Sequence, residues 1–301
     1  MKQAFIPHKF TAESQSMIET INDILEEYKA MGFRLSLRQV YYQLVARDYI
    51  PNSLRSYKRI GELVAIGRTA GLIDWEMIED RNRDSVANTH WTSPAQIVRA
   101  AAEQFKIDRW EGQRAYVEVM VEKDALSGIL LPTCRSLDVR FSANKGYSSA
   151  SAMYEAGRRF RAVALGQNCV KEYHLFYLGD HDPSGIDMTR DVRERLKLFC
   201  DLAHIEIVVH RLALNIDQVH VWNPPENPAK ETDSRYDDYA GQFGTACWEL
   251  DAVEPRTLAG LLEKQIMSLI NRKVWNEVAE KESRLKSELM DLAEEYESEH
   301  E

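Results

Sequence analysis

YHLFYLGDHDPSGIDM, residues 173–188, decides the fold. Its first six residues are rich in aromatic and apolar side chains, as a strand is, and Gly179 begins a turn. Pro183 cannot donate to a sheet and stops the strand, while Ser184 can cap a helix that follows. In extended chain Asp180 and Asp182 point the same way, because side chains repeat every two residues. Two carboxylates held together repel each other, and a divalent cation with oxygen preference relieves the repulsion. The same residues also suit an ordinary strand-to-helix turn, and the DxDPxG pattern alone does not separate the two.

Outward from this stretch the pattern repeats. Residues 115–121 and 205–214 read as strands, and 125–137, 149–165 and 184–202 read as helices between them. Strands alternating with helices predict an α/β fold with a mostly parallel sheet, whose ligands bind at the carboxyl ends of the strands. Glu122 ends the first of these strands, in the place that Asp180 and Asp182 take on another, so the three carboxylates are candidates for one crevice. Asn144-Lys145-Gly146-Tyr147-Ser148-Ser149 precedes a helix and can present amides to a phosphate, although a plain glycine turn explains it as well. Lys123 and Lys145 suit phosphate neutralisation or a surface role equally, and Asp124 and Asp187 read as caps or solvated helix residues.

The region before the sheet is helical. Residues 11–31 carry Ile18, Ile21, Ile24, Leu25 and Tyr28 at helical spacing, Ser36 can cap a second helix, and Pro51-Asn52 precedes a third over 53–70. With GLIDWEMIED as a small strand or wing, this predicts a helix-turn-helix or winged-helix domain. The expected organisation is a winged-helix domain over 1–85, a linker with a helix over 86–113, an α/β domain over 114–255 and a C-terminal helix with an acidic tail over 256–301.

The 301 residues carry a formal net charge of −10, which at first sight disfavours nucleic acid. Its distribution says otherwise. Residues 276–301 hold ten acidic residues against Lys281, Arg284 and Lys286, a net of −7 that leaves −3 to the other 275. Between Arg34 and Arg68 seven basic residues face only Asp48 and Glu62, a net of +5. Arg55, Lys58 and Arg59 open the third helix, where a helix-turn-helix reads DNA, and Arg34 and Lys145 add to the candidate DNA contacts. Cys134, Cys169, Cys200 and Cys247 form no CxxC pair and read as reduced core thiols; the histidines, His181 among them, suggest no zinc set. The first residues lack an apolar signal core and no apolar run is long enough to span a bilayer, so a cytoplasmic, nucleoid-associated protein without membrane contact is expected.

VEKDALSGIL from Val121, NKGYSSASAMYEAG from Asn144 and GDHDPSGIDM from Gly179 resemble the metal-binding Toprim stretches of the topoisomerase VI A subunit and its meiotic double-strand-break relatives. PAKETDSRY from Pro228 and WELDAVEPRTL from Trp248 resemble the later part of that family, so the likeness runs from Arg34 to about Ile270. It implies a winged helix bearing a nucleophilic tyrosine in the form R-x-x-Tyr-Tyr, which Arg38-Gln39-Val40-Tyr41-Tyr42 meets. Periodicity then separates the two tyrosines. Leu37, Val40, Tyr41 and Leu44 form the buried stripe, whereas Tyr42 lies on the side of Arg38, whose guanidinium favours phenolate and can hold a phosphate.

The resemblance implies a compact type IIB topoisomerase A-subunit-like transesterase, with Tyr42 and Arg38 catalytic and Glu122, Asp180 and Asp182 binding Mg²⁺ or Mn²⁺. It further implies double-stranded DNA as substrate and a homodimer making two staggered, protein-linked nicks. No P-loop occurs, so no nucleotide site is expected in this chain, and ATP-driven strand passage needs a separate GHKL-type ATPase B subunit. The chain starts almost at the winged helix, which leaves contact with such a subunit open. Two alternatives stand beside this: a hydrolytic Toprim nuclease of the plasmid-defence type, and a non-catalytic DNA-binding regulator.

Overall fold

A computed structural model describes residues 2–79, 90–144, 146–166 and 169–300. The N-terminal part is helical, as its periodicity predicts: α1 (Ala12–Ala30), α2 (Leu37–Ala46) and α3 (Leu54–Thr69), capped by the side chains of Thr11, Ser36 and Ser53. Ahead of α2, Leu35–Ser36 forms a short strand, β1, that pairs in parallel with β2 (Ile78–Glu79) from the stretch expected to be a strand or wing. Residues 80–89, which include the expected boundary at 85, lie outside the described residues, as does Lys145. The helix after Ser93-Pro94 is α4 (Pro94–Gln104).

Beyond it lies a mixed α/β arrangement around a four-stranded, all-parallel sheet of order β4-β3-β5-β6, with β3 Ala115–Val121, β4 Arg140–Ala143, β5 Glu172–Leu178 and β6 Ile207–Ala213. Three of these strands are legible in the sequence; β4, short and at the edge, is not. Val121 is level with Leu178 and Ala143, so the carboxyl ends of the strands share one rim. Val117, Val119, Val121, Phe176 and Leu178 face α5 (Ser127–Ser136) and α10 (Pro255–Leu269), while Met120, Tyr173, Leu175 and Tyr177 face α6 (Ala150–Gly166) and α7 (Pro183–Cys200). Helices on both faces are what a parallel sheet requires. The first of these apolar clusters also takes in Ile18, Ile21, Val40 and Leu44, so α1 and α2 pack into the same core as the sheet.

Between β6 and α10 come α8 (Ile216–Trp222), β7 (Glu226–Pro228), α9 (Tyr236–Phe243) and β8 (Ala246–Trp248), with β7 and β8 antiparallel.

One expectation needs correction, that of four core cysteines. The final segment is helical with an acidic, largely exposed surface, as expected; the chain breaks at Ile270 and continues as α11 (Arg272–His300), which packs along α4. Its Val278 and Ala293 are buried, Arg99 of α4 pairs with Glu297 (2.6 Å), and Arg109, just beyond α4, pairs with Glu282 (2.8 Å). All four cysteines are free thiols, but Cys169 is exposed rather than core. Among the described residues no helix is long and apolar enough to cross a membrane.

Candidate active site at the carboxyl ends of the strands

Glu122 follows directly on β3, and its backbone N–H still donates to Leu178 O at 2.9 Å, which brings it level with the end of β5. Its Oε2 accepts the Asp180 N–H at 2.9 Å. This contact needs glycine at 179, where a Cβ would lie 2.7 Å from the same oxygen. Asp180 Oδ1 accepts the Leu250 N–H at 2.8 Å and Oδ2 meets Lys123 Nζ at 2.5 Å. Asp182 caps α7, accepting from Gly185 N–H at 2.6 Å and Ser184 Oγ at 2.9 Å. Glu122 and Asp180 are thus in direct contact, and Asp182 stands close enough for its charge to act on Glu122.

Two more carboxylates join them. Trp248 at the end of β8 exchanges backbone hydrogen bonds with His181, at 2.8 and 2.9 Å, and this bridge lays Glu249-Leu250-Asp251 beside Asp180. Glu249 Oε2 accepts from Lys123 Nζ at 2.7 Å and also from Arg38. Asp251, 2% exposed, pairs with Arg38 Nε at 3.0 Å and with Lys123 Nζ at 3.5 Å. Lys123 is therefore an interior cation shared by Asp180, Glu249 and Asp251, not a surface residue. Arg211 adds a third cation, donating to the carbonyls of Gly179, Asp180 and Gly185 from beneath the turn.

Arg38 reaches this cluster from α2, whose start is fixed by a capping box: Ser36 Oγ accepts from Gln39 N, and Gln39 Oε1 accepts from Ser36 N at 2.7 Å. The Arg38 guanidinium carbon lies 5.8 Å from the centroid of the Tyr42 ring, so the two share a side of the helix as periodicity predicts. Tyr42 is nonetheless 4% exposed, as buried as Tyr41, whose hydroxyl bonds to Asn52 and Ser53. Burial, and after it the charge of Glu249, raises the Tyr42 phenol above its ordinary value against the opposing pull of Arg38. Arg38 pulls toward the phenolate, as expected, but burial and the charge of Glu249 outweigh it.

Five carboxyls meet three cations here, and the imbalance is visible in their proton affinities. Glu122 is pushed up to about 7, by burial first and by the charge of Asp180 second. Asp251 is pushed up to about 6 by burial, despite Lys123 and Arg38, and burial raises Asp180 as well. Glu249 goes the other way: burial raises it, but Lys123 and Arg38 together hold it below the usual carboxylate range. Lys123 is held well above its ordinary value by its three carboxylates, against the effect of burial.

Among the described residues no group of three His, Cys, Asp or Glu side chains stands ready-made to hold a metal ion. The donor chemistry nonetheless fits a hard divalent cation. Glu122, Asp180 and Asp182 offer only oxygen, the donor type such a cation prefers.

The basic residues fall in two groups. Arg34, Arg55, Lys58 and Arg59 are all exposed; Arg59 pairs with Glu13 at 2.5 Å, while Arg55 and Lys58 make no ion pair among the described residues. Asp124 accepts from Ser127 Oγ, while Asp187, expected to be a cap or a solvated helix residue, lies within α7 and binds Tyr147, Arg190 and Arg235. His181 turns from the aspartates to the Tyr239 hydroxyl at 2.8 Å.

Glu249, Asp251 and Arg211 are the site residues that sequence reasoning missed; Lys123 is named there, with a surface role left open. The alternation in Glu249-Leu250-Asp251, like that in Asp180-His181-Asp182, is a signal that could have found Glu249 and Asp251. Comparison with protein-family models, with curated proteins and with solved structures finds no match.

Proposed function

We propose that the chain is a DNA-cleaving transesterase of the kind its motifs resemble, the topoisomerase VI A subunit, built as a winged helix followed by a Toprim domain and acting as a homodimer. One observation carries this: Tyr42, Arg38, Glu249, Lys123 and Asp180 form an unbroken chain of contacts that joins a helix-borne phenol to the strand-end carboxylates. A phenol beside a guanidinium, next to acidic side chains at the rim of a parallel sheet, is an arrangement suited to phosphoryl transfer.

In the proposed reaction the Tyr42 oxygen attacks a backbone phosphorus, an O–P bond forms, and the bond from phosphorus to one sugar oxygen breaks. Glu249, a carboxylate lining the same pocket as Tyr42, takes the phenol proton, and the departing sugar oxygen takes a proton from water. Arg38 binds a non-bridging phosphate oxygen in place of Glu249. Glu122, Asp180 and Asp182 are the residues that would hold a Mg²⁺ or Mn²⁺, which would supply charge neutralisation. Arg55, Lys58 and Arg59 carry the duplex across α3.

The test is covalent trapping. Purified protein with supercoiled DNA and Mg²⁺ or Mn²⁺, stopped with detergent, is expected to yield protein-linked ends that vanish in Tyr42→Phe. Cleavage that persists in Tyr42→Phe without protein on the ends would establish the hydrolytic alternative. The burial and raised pKa of Tyr42 favour that second route, with a water activated by Glu122 as nucleophile.

A further inference from the structure

Tyr42 borders a pocket of about 370 Å³ that the cleavage chemistry does not use in full. Tyr41, Tyr42 and Tyr57 line it from α2 and α3, Asn227 and Pro228 line it from β7, and Arg38 is also in its wall. Asn52 ties the two sides together, donating to Glu226 O at 2.9 Å and to Asn227 Oδ1 at 3.1 Å. Leu54, the first residue of α3, is part of the same lining, yet it is 71% exposed.

We infer that this pocket receives one nucleotide turned out of the DNA duplex, with Leu54 filling the gap it leaves in the base stack. The proposal rests on the reading that the chain binds DNA at Tyr42, and names what part of the substrate that site takes. The volume lies within the range of about 300–1,000 Å³ found for small-ligand sites. The tyrosine rings pack edge to face, with interplanar angles of 61° and 81°; Tyr57, the half-buried one of the three, is the ring that can present a face, and an aromatic face stacks on any base. The Asn227 amide N–H, which has no hydrogen-bond partner, can donate to a base edge, and Arg38 suits the attached phosphate.

A lone exposed leucine is common on protein surfaces. Leu54 differs in position: it stands at the mouth of a nucleotide-sized pocket and opens a helix whose next exposed residues are Arg55, Lys58 and Arg59. A wedge of this type unstacks a base step and kinks the duplex. Turning out a nucleotide also swings its phosphate away from the helix axis, toward Arg38, whose side chain is 40% exposed, and the buried Tyr42 behind it.

The proposal is tested by binding of the full chain, in chelator, to a set of duplexes each carrying a single mismatch at a successive position. A base flipper spends less on a nucleotide already unpaired. One position is therefore expected to tighten binding about tenfold. Leu54→Ala, at an exposed residue, is expected to weaken binding to matched duplex and to widen its gap from the mismatched one. Duplex binding that is salt-sensitive but no more than about twofold tighter at any mismatch position, or a gap unchanged in Leu54→Ala, overturns the proposal and leaves DNA binding intact. Failure to bind any duplex at low salt overturns both.

Discussion

Glu118 and Glu122 sit four residues apart, one within β3 and one just past its end, and both are buried, at 1% and 5% exposure. Glu118 is closed off: Arg159 donates to both of its oxygens at 2.8 Å and the Tyr116 hydroxyl adds a third bond at 2.7 Å. Glu122 has a backbone N–H for a partner and other carboxylates for neighbours. Burial of a carboxylate therefore does not by itself mark a site. A bidentate guanidinium balances the first charge on the spot, whereas the second belongs to a cluster that carries more acid than base, and that surplus is what a cation or a reaction can use.

The largest effect that sharpens this contrast is expected from Lys123→Met, which strands Asp180, Glu249 and Asp251 without their shared ammonium. Loss of about 3–5 kcal/mol is expected in urea unfolding, the cost of breaking buried pairs from one side. A loss below about 1 kcal/mol would mean that the cluster is not held by charge. Next comes Glu118→Ala, which strands Arg159. Because Arg159 keeps 27% of its side chain exposed, the expected loss is smaller, about 2–3 kcal/mol, with no change in DNA binding.

Third, the contrast is expected to show in pH dependence. Glu122 titrates at about 7 in the folded chain against an ordinary 4.5. The raised value means that the protonated form is the one that folding favours. Its contribution is complete below pH 4.5 and is lost as pH rises to about 7. In chelator, the parent protein is expected to lose on the order of 2 kcal/mol across that window relative to Glu122→Gln. Equal slopes in the two proteins would break the contrast. The smallest effect is expected at the exposed Arg59–Glu13 pair, where Arg59→Ala changes stability by less than about 1 kcal/mol yet lowers the salt dependence of DNA binding by about one phosphate contact.

The alternation of strands and helices from Ala115 to Cys200 was legible because buried parallel strands and amphipathic helices leave strong local patterns. β4 was not, since four residues opening with an exposed Arg140 at a sheet edge carry little pattern. Glu122 and Asp180 were legible from their place at strand ends. Lys123, although next to Glu122, was not: whether a lysine beside a strand end turns inward depends on acids supplied from elsewhere. Those acids, Glu249 and Asp251, arrive 126 and 128 residues later, placed by a backbone bridge between His181 and Trp248 that no local pattern announces. The packing of α11 was hidden for a related reason, because Glu282 and Glu297 read as solvent-facing charge until Arg109 and Arg99 are set against them.

One oxygen, Glu249 Oε2, is divided between Arg38 and Lys123. An acceptor shared by two cations grips each less tightly than it would grip one, so an anion that draws Arg38 away leaves Glu249 to Lys123 alone. Lys123 then leans from Asp180 toward Glu249, and Asp180 recovers negative charge. On the proposed reading, a phosphate arriving at α2 would thereby be felt at the sheet rim through side chains alone. The cluster works as a charge balance, in which weight placed on the Tyr42 pan lifts the Asp180 one.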